Sequence, residues 1–141
     1  MKPLYSIENK KFEDIHGTIE ENRLLIYKKI GMSYNDVLTL DRVIQGNMTI
    51  YKLTVQYLGQ DWRYMDTIIL NIDGKIVTLK DKNPSHDINT GSNVTVTEIV
   101  SCTLDQSLID ALKSASSIKI QYYSDPIAIP QEGVTAITAF L

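Results

Sequence analysis

The sequence predicts an α+β domain made mainly of antiparallel sheet, sandwich-like or open, with one or two short helices in its C-terminal half. Three observations predict it. Thr49 to Leu58 alternates: Tyr51, Leu53, Val55 and Tyr57 share one face, and Lys52, Thr54 and Gln56 share the other. That two-residue period is the mark of a sheet with one wet side. Asp73-Gly74 separates two β-rich runs, Thr67 to Ile72 and Lys75 to Leu79. The dipeptide suits a type I′ hairpin, whose two central residues both take positive φ. Finally, the elements run strands, helix, strand, helix with hairpin-length spacing, unlike alternating βαβ units.

Taken in order, residues 1–22 are the most charged part, with Glu8, Lys10, Lys11, Glu13, Asp14, Glu20 and Glu21 among isolated apolar positions. They read as a solvated arm with one short strand near Gly17-Thr18-Ile19, ahead of a sheet-based core over 23–141. Leu24 to Lys29 is a strand stopped by Gly31, and Ser33-Tyr34-Asn35-Asp36 carries turn chemistry. Val37 to Ile44 and then Thr49 to Leu58 are strands, and Gly59-Gln60-Asp61 turns the chain. After the Asp73-Gly74 hairpin, Lys80 to Ser92 reads as a loop of Asp, Asn, Pro, Ser and Gly. Asn93 to Cys102 is a strand whose alternation slips near Glu98-Ile99-Val100, which suggests a bulge. Thr103 and Gln106 stand at capping-box spacing before an apolar stripe of Leu108, Ala111, Leu112 and Ala115. Ser117 to Tyr123 alternates again. Pro130 suits the first position of a last helix, with Val134, Ile137 and Leu141 on one face.

Composition sets the class. The chain has 141 residues, 43% hydrophobic and 22% charged, the profile of one ordinary globular domain rather than a disordered chain. With 14 basic against 17 acidic residues the net charge is -3, which argues against a nucleic-acid partner. No apolar run approaches the roughly 18 residues of a transmembrane helix. The stretch from Met1 to Lys11 has no apolar h-region, so no signal peptide is expected within it.

The search for chemistry returns no catalytic, cofactor or metal residues. Cys102 is the single cysteine, too few for a disulfide or a zinc site, and its apolar setting reads as a small buried hydrophobe. Asp81 to Asp87 places oxygen side chains at alternate positions, as a calcium loop does. The pattern fails at His86, where the turn glycine belongs, and at Ser92, where a bidentate Glu belongs. Ser85-His86-Asp87 names the residue types of a hydrolase triad, but neighbouring side chains diverge. The seven glycines are scattered, so no phosphate loop forms. Glu98 lies in an apolar run, and protection of a strand edge is preferred to an inward-pointing carboxyl. The one candidate contact surface is the aromatic group Tyr57, Trp62 and Tyr64, able to stack on a sugar or a peptide. The plainer reading has Trp62 and Tyr64 opening the next strand over the core.

Several features of Tyr51 to Leu141 together resemble small uncharacterised bacterial domains of the cell envelope, several of them lipoproteins. These are Tyr51 to Tyr57, Trp62-Arg63-Tyr64, Ile72-Asp73-Gly74-Lys75, Glu98, the capped helix from Leu104 and the Ile118-to-Tyr122 strand. The resemblance implies a non-enzymatic, sheet-based module, often exported behind a lipid-anchored cysteine, and carries no functional residue with it. The expectation is therefore a non-catalytic binding or structural module of the bacterial envelope, its signal removed, with a protein or glycan partner and no cofactor. Two alternatives stand beside it: a small metal-independent hydrolase using Asp or Glu with Tyr, and a cytosolic or phage structural subunit.

Overall fold

The computed structural model describes residues 2–91 and 93–141. The order is β1 (Ile7–Asp14), β2 (Gly17–Ile30), β3 (Asn35–Gln45), β4 (Met48–Gly59), β5 (Thr67–Ile72), β6 (Lys75–Lys80), β7 (Ser85–Thr90), β8 (Val94–Thr103), α1 (Gln106–Lys113), β9 (Ile118–Gln121), β10 (Ile127–Ala128) and α2 (Gln131–Phe140). All pairings are antiparallel. A six-stranded sheet, β1-β2-β3-β4-β8-β7, curls into a half-barrel, and a four-stranded sheet, β10-β9-β5-β6, lies against it. The fold is thus α+β and mainly antiparallel, as the alternation predicts.

The core lies between the sheets and the helices. Leu24 and Ile26 of β2, Leu38 and Leu40 of β3, Leu53 and Val55 of β4 and Val96 and Val100 of β8 face Ile68, Leu70, Ile118 and Ile120 of the second sheet. Each fully buried Leu or Ile contributes about 1.5–3 kcal/mol. Helix α2 closes one end of the core. Arg42 donates to the Phe140 carbonyl at 3.2 Å and stacks over the Phe140 ring at 4.8 Å, and Tyr51 meets that ring edge-on. In the β5–β6 hairpin, Asp73 and Gly74 take φ of 50° and 90°, as a type I′ turn demands.

Five local expectations need correction. Within the expected arm, residues 7–14 form β1 and residues 17–22 the first part of β2, paired from Ile7↔Leu24 to Asp14↔Gly17. Its apolar alternation is weak because this hairpin is wet on both faces. Its register sets opposite charges across from one another, Glu8 opposite Arg23, Lys10 opposite Glu21 and Lys11 opposite Glu20, and Asn22 donates to Asn9 Oδ1 at 2.6 Å. The loop of residues 80–92 contains β7, an edge strand exposed nearly throughout and therefore free to be polar; Ser92 lies outside the described residues. The register of β4 with β8 runs unbroken through Glu98, so no bulge occurs there; the shift is in β2, between Leu25 and Tyr27. Asp105, not Thr103, caps α1: its Oδ1 accepts the Leu108 N–H at 2.8 Å, while Thr103 still belongs to β8. Pro130 is the cap of α2 rather than its first residue.

Candidate functional site

Strand register assembles the site. Lys29 of β2 pairs with Asp36 of β3, Asp36 with Tyr57 of β4, Tyr57 with Glu98 of β8, and Glu98 with His86 of β7. Residues opposite one another in an antiparallel pair point to the same face. One rung of the large sheet thus gathers Lys29, Asp36, Tyr57, Glu98 and His86 on its core side, at the end away from α2. In β3 and β8 the polar members replace apolar ones at inward positions: Asp36 precedes Leu38 and Leu40, and Glu98 sits between Val96 and Val100.

The segment joining β4 to β5, residues 60–66, lies across this rung as a strap. It has no ladder of its own, and Glu98 supplies the missing acceptors. Oε2 of Glu98 takes the Arg63 N–H at 2.6 Å and Oε1 takes the Met65 N–H at 2.8 Å. Glu98 is fully buried. It therefore points inward and shields no strand edge, because a buried backbone amide must find an acceptor and this carboxyl provides two. Tyr57 assists by donating its phenol to the Asp61 carbonyl at 2.7 Å, its ring lying over the bare Cα of Gly59, where a side chain would collide with it.

Arg63 and Met65 turn inward and Tyr64 outward, while Trp62, half-buried, packs against the core cluster and stacks on Tyr64. The Arg63 guanidinium lies 3.8 Å from the Tyr57 ring centroid, 4.5 Å from Tyr123 and 5.5 Å from Tyr34. Its Nη1 donates to both Asp36 oxygens, at 3.1 and 3.0 Å. The Tyr122 phenol donates to Asp36 Oδ2 at 2.5 Å, linking the second sheet to the first. Burial, followed by the Asp36 carboxylate, pushes the Tyr122 phenol well above its usual range. An acid held protonated by the fold adds stability below its unfolded pKa, near 10, and loses it as the pH rises further. Stability should therefore fall more steeply for the wild type than for Tyr122→Phe above about pH 10, by up to about 1.4 kcal/mol per pH unit. Urea unfolding at stepped pH measures this; equal slopes in the two proteins would contradict the placement of that phenol.

Around Arg63 a cavity of about 330 Å³ opens, walled by Tyr27, Tyr34, Tyr122 and Tyr123 with Lys29 and Asp125 at its sides. On the outward side of the strap, Trp62 and Tyr64 stack with ring centroids 5.9 Å apart, and His86 meets both edge-on at 6.2 and 6.3 Å. Of the three aromatics singled out from sequence, Tyr57 is buried beneath the strap, Trp62 is half-buried and Tyr64 is 70% exposed. Neither Trp62 nor Tyr64 belongs to β5. Sequence reading missed Asp36, Arg63, Tyr122 and Tyr123. The available signal, at Asp36 alone, was a charged residue at the inward parity of a strand.

Neither a family model, nor a curated protein, nor a solved structure matches the chain.

The remaining motifs do not converge. Ser85, His86 and Asp87 follow one another along β7, so His86 faces the rung while its neighbours face away. The Asp81 carboxyl accepts the Asn83 and Ser101 N–H groups at 2.9 and 2.8 Å, the latter on the β8 edge beyond the end of β7. Cys102 is buried, and burial with nearby Asp81 pushes its thiol up to about 11, away from nucleophilic chemistry at neutral pH. Among the described residues no group of three His, Cys, Asp or Glu could hold a metal, and no helix is long and apolar enough to cross a membrane.

Proposed function

We propose that the chain is a non-catalytic binding module that presents the outward face of the strap, Trp62 and Tyr64 with His86 beside them, to a protein partner. One observation carries this reading. Tyr64 has φ of 54° and is 70% exposed. A bulky side chain in left-handed backbone costs about 1–2 kcal/mol, and at this exposure burial returns little of it. Asn or Gly would occupy the position at lower cost. Strained positions held by their surroundings cluster at functional sites. Here the surroundings are the two Glu98 hydrogen bonds on either side of Tyr64.

Other features agree. Ile88 and Val94, each 55% exposed, continue the face along β7 and β8, and exposed aliphatic groups beside a Trp–Tyr pair suit a protein surface better than a sugar. Asp36 and Glu98 are engaged by Arg63, Tyr122 and the strap amides, which fits a structural rather than catalytic use of the rung. Residence in the bacterial envelope is part of the proposal and rests on the resemblance of residues 51–141.

Selection from a random peptide library on the immobilised chain tests the reading. The enriched peptides should quench the emission of Trp62, the chain's one tryptophan, and bind Tyr64→Asn at least about tenfold more weakly, a hot-spot loss of 1.4 kcal/mol or more. The same substitution should leave stability unchanged or raise it by up to about 1 kcal/mol. Peptides that bind Tyr64→Asn as tightly as wild type would overturn it.

A further inference from the structure

Two of the molecule's cavities differ in whether the charges that line them are answered. The groove on the open face of the large sheet, about 290 Å³, is self-satisfied. Arg23 pairs with Asp41, Asp41 also accepts from Thr54, Lys2 pairs with Glu8, and Lys28 donates to the Lys2 carbonyl. The tyrosine-walled cavity behind the strap differs. Its buried pair, Arg63 with Asp36, leaves Nε and Nη2 of Arg63 without a hydrogen-bond partner among the described residues. Lys29 lies beside the Tyr34 ring, 5.8 Å from its centroid, and forms no ion pair among the described residues. Asp125 lines the same cavity and is likewise unpaired among them.

We propose that this cavity binds a small zwitterion of the α-amino acid class, with its carboxylate toward Arg63 and Lys29 and its ammonium toward Asp125 and the tyrosine faces. Three physical features select that class. The cavity volume, about 330 Å³, is at the lower end of small-molecule sites and matches a compact ligand. Unanswered charge of both signs, Lys29 and Asp125, favours a ligand carrying both, since a simple anion leaves Asp125 opposed and a simple cation leaves Lys29 opposed. Tyrosine rings attract an ammonium through their faces and give an apolar side chain a flat wall. Arg63 is well placed for the carboxylate because the rung fixes it: its backbone is held by Glu98, its Nη1 by Asp36 and its guanidinium plane by three tyrosine rings. The site lies on the inward side of the strap, so it stands apart from the outward face proposed above.

Isothermal titration calorimetry with L-phenylalanine, L-leucine, 3-phenylpropionate and 2-phenylethylamine tests the proposal. At least one of the two amino acids should bind. If L-phenylalanine does, each analogue lacking one charge should bind about tenfold or more weakly, the worth of one charge-assisted hydrogen bond. Asp125→Asn and Lys29→Gln alter exposed side chains and should leave thermal unfolding unchanged while weakening amino-acid binding about tenfold each. Heat from neither amino acid, equal binding of 3-phenylpropionate and L-phenylalanine, or binding unmoved by both substitutions would overturn it.

Discussion

Glu98→Ala should destabilise the fold by about 3–5 kcal/mol, because two buried amide donors lose their acceptor and a cavity opens where the side chain stood. The donors are the N–H groups of Arg63 and Met65, and no other acceptor for either is present among the described residues. Glu98→Gln should cost less, about 1–3 kcal/mol: the amide oxygen keeps one bond, but its NH₂ group confronts the other N–H. Urea unfolding followed by far-ultraviolet circular dichroism measures both. A carboxyl that merely guarded a strand edge would cost no more than about 0.5 kcal/mol on removal. The size of the effect therefore separates the edge reading of Glu98 from its place under the strap.

Arg63→Ala should cost a similar amount, about 3–5 kcal/mol, since it leaves the Asp36 carboxylate buried without its cation. Side-chain exposures of 12% for Arg63 and 5% for Asp36 make this a desolvated pair, unlike the solvent-screened Lys2–Glu8 pair, whose loss should not measurably change stability. The loss should not be additive. In Asp36→Leu/Arg63→Met both charges are gone and the volume is largely kept, so part of the stability should return, less what the Tyr122 phenol loses with its acceptor, with a coupling of about 1–3 kcal/mol in the double-mutant cycle. A cycle that closes at zero would mean that the two side chains do not meet in solution.

The large sheet was legible because its inward faces obey a strict period. Leu40, Leu53 and Val55 alternate with polar neighbours, as Ile118 and Ile120 do in the second sheet. The β5–β6 hairpin was legible because Asp73-Gly74 has few conformations open to it. The β1–β2 hairpin and β7 were not, for one physical reason. Strands wet on both faces have no core to enforce an apolar alternation, and cross-strand charge pairs leave no periodic trace in a single segment. Of the site, sequence showed the aromatic strap but not its support. Asp36, Glu98 and Arg63 are far apart along the chain and meet only through register, a property of pairs of strands. In the sequence Glu98 stands out within an apolar run and Asp36 reads as a turn residue. Both are polar groups at inward positions, where a partner must come from elsewhere in the fold.

Native-state hydrogen exchange of the Arg63 and Met65 amides tests the central claim most directly. Both belong to a connection outside every helix and strand, where amides ordinarily exchange through small local openings. Held by a buried carboxyl, they should instead exchange as slowly as Val55 and Val100 in the core strands. Exchange at the rate of the exposed turn around His16 would show that the strap is not fastened to Glu98.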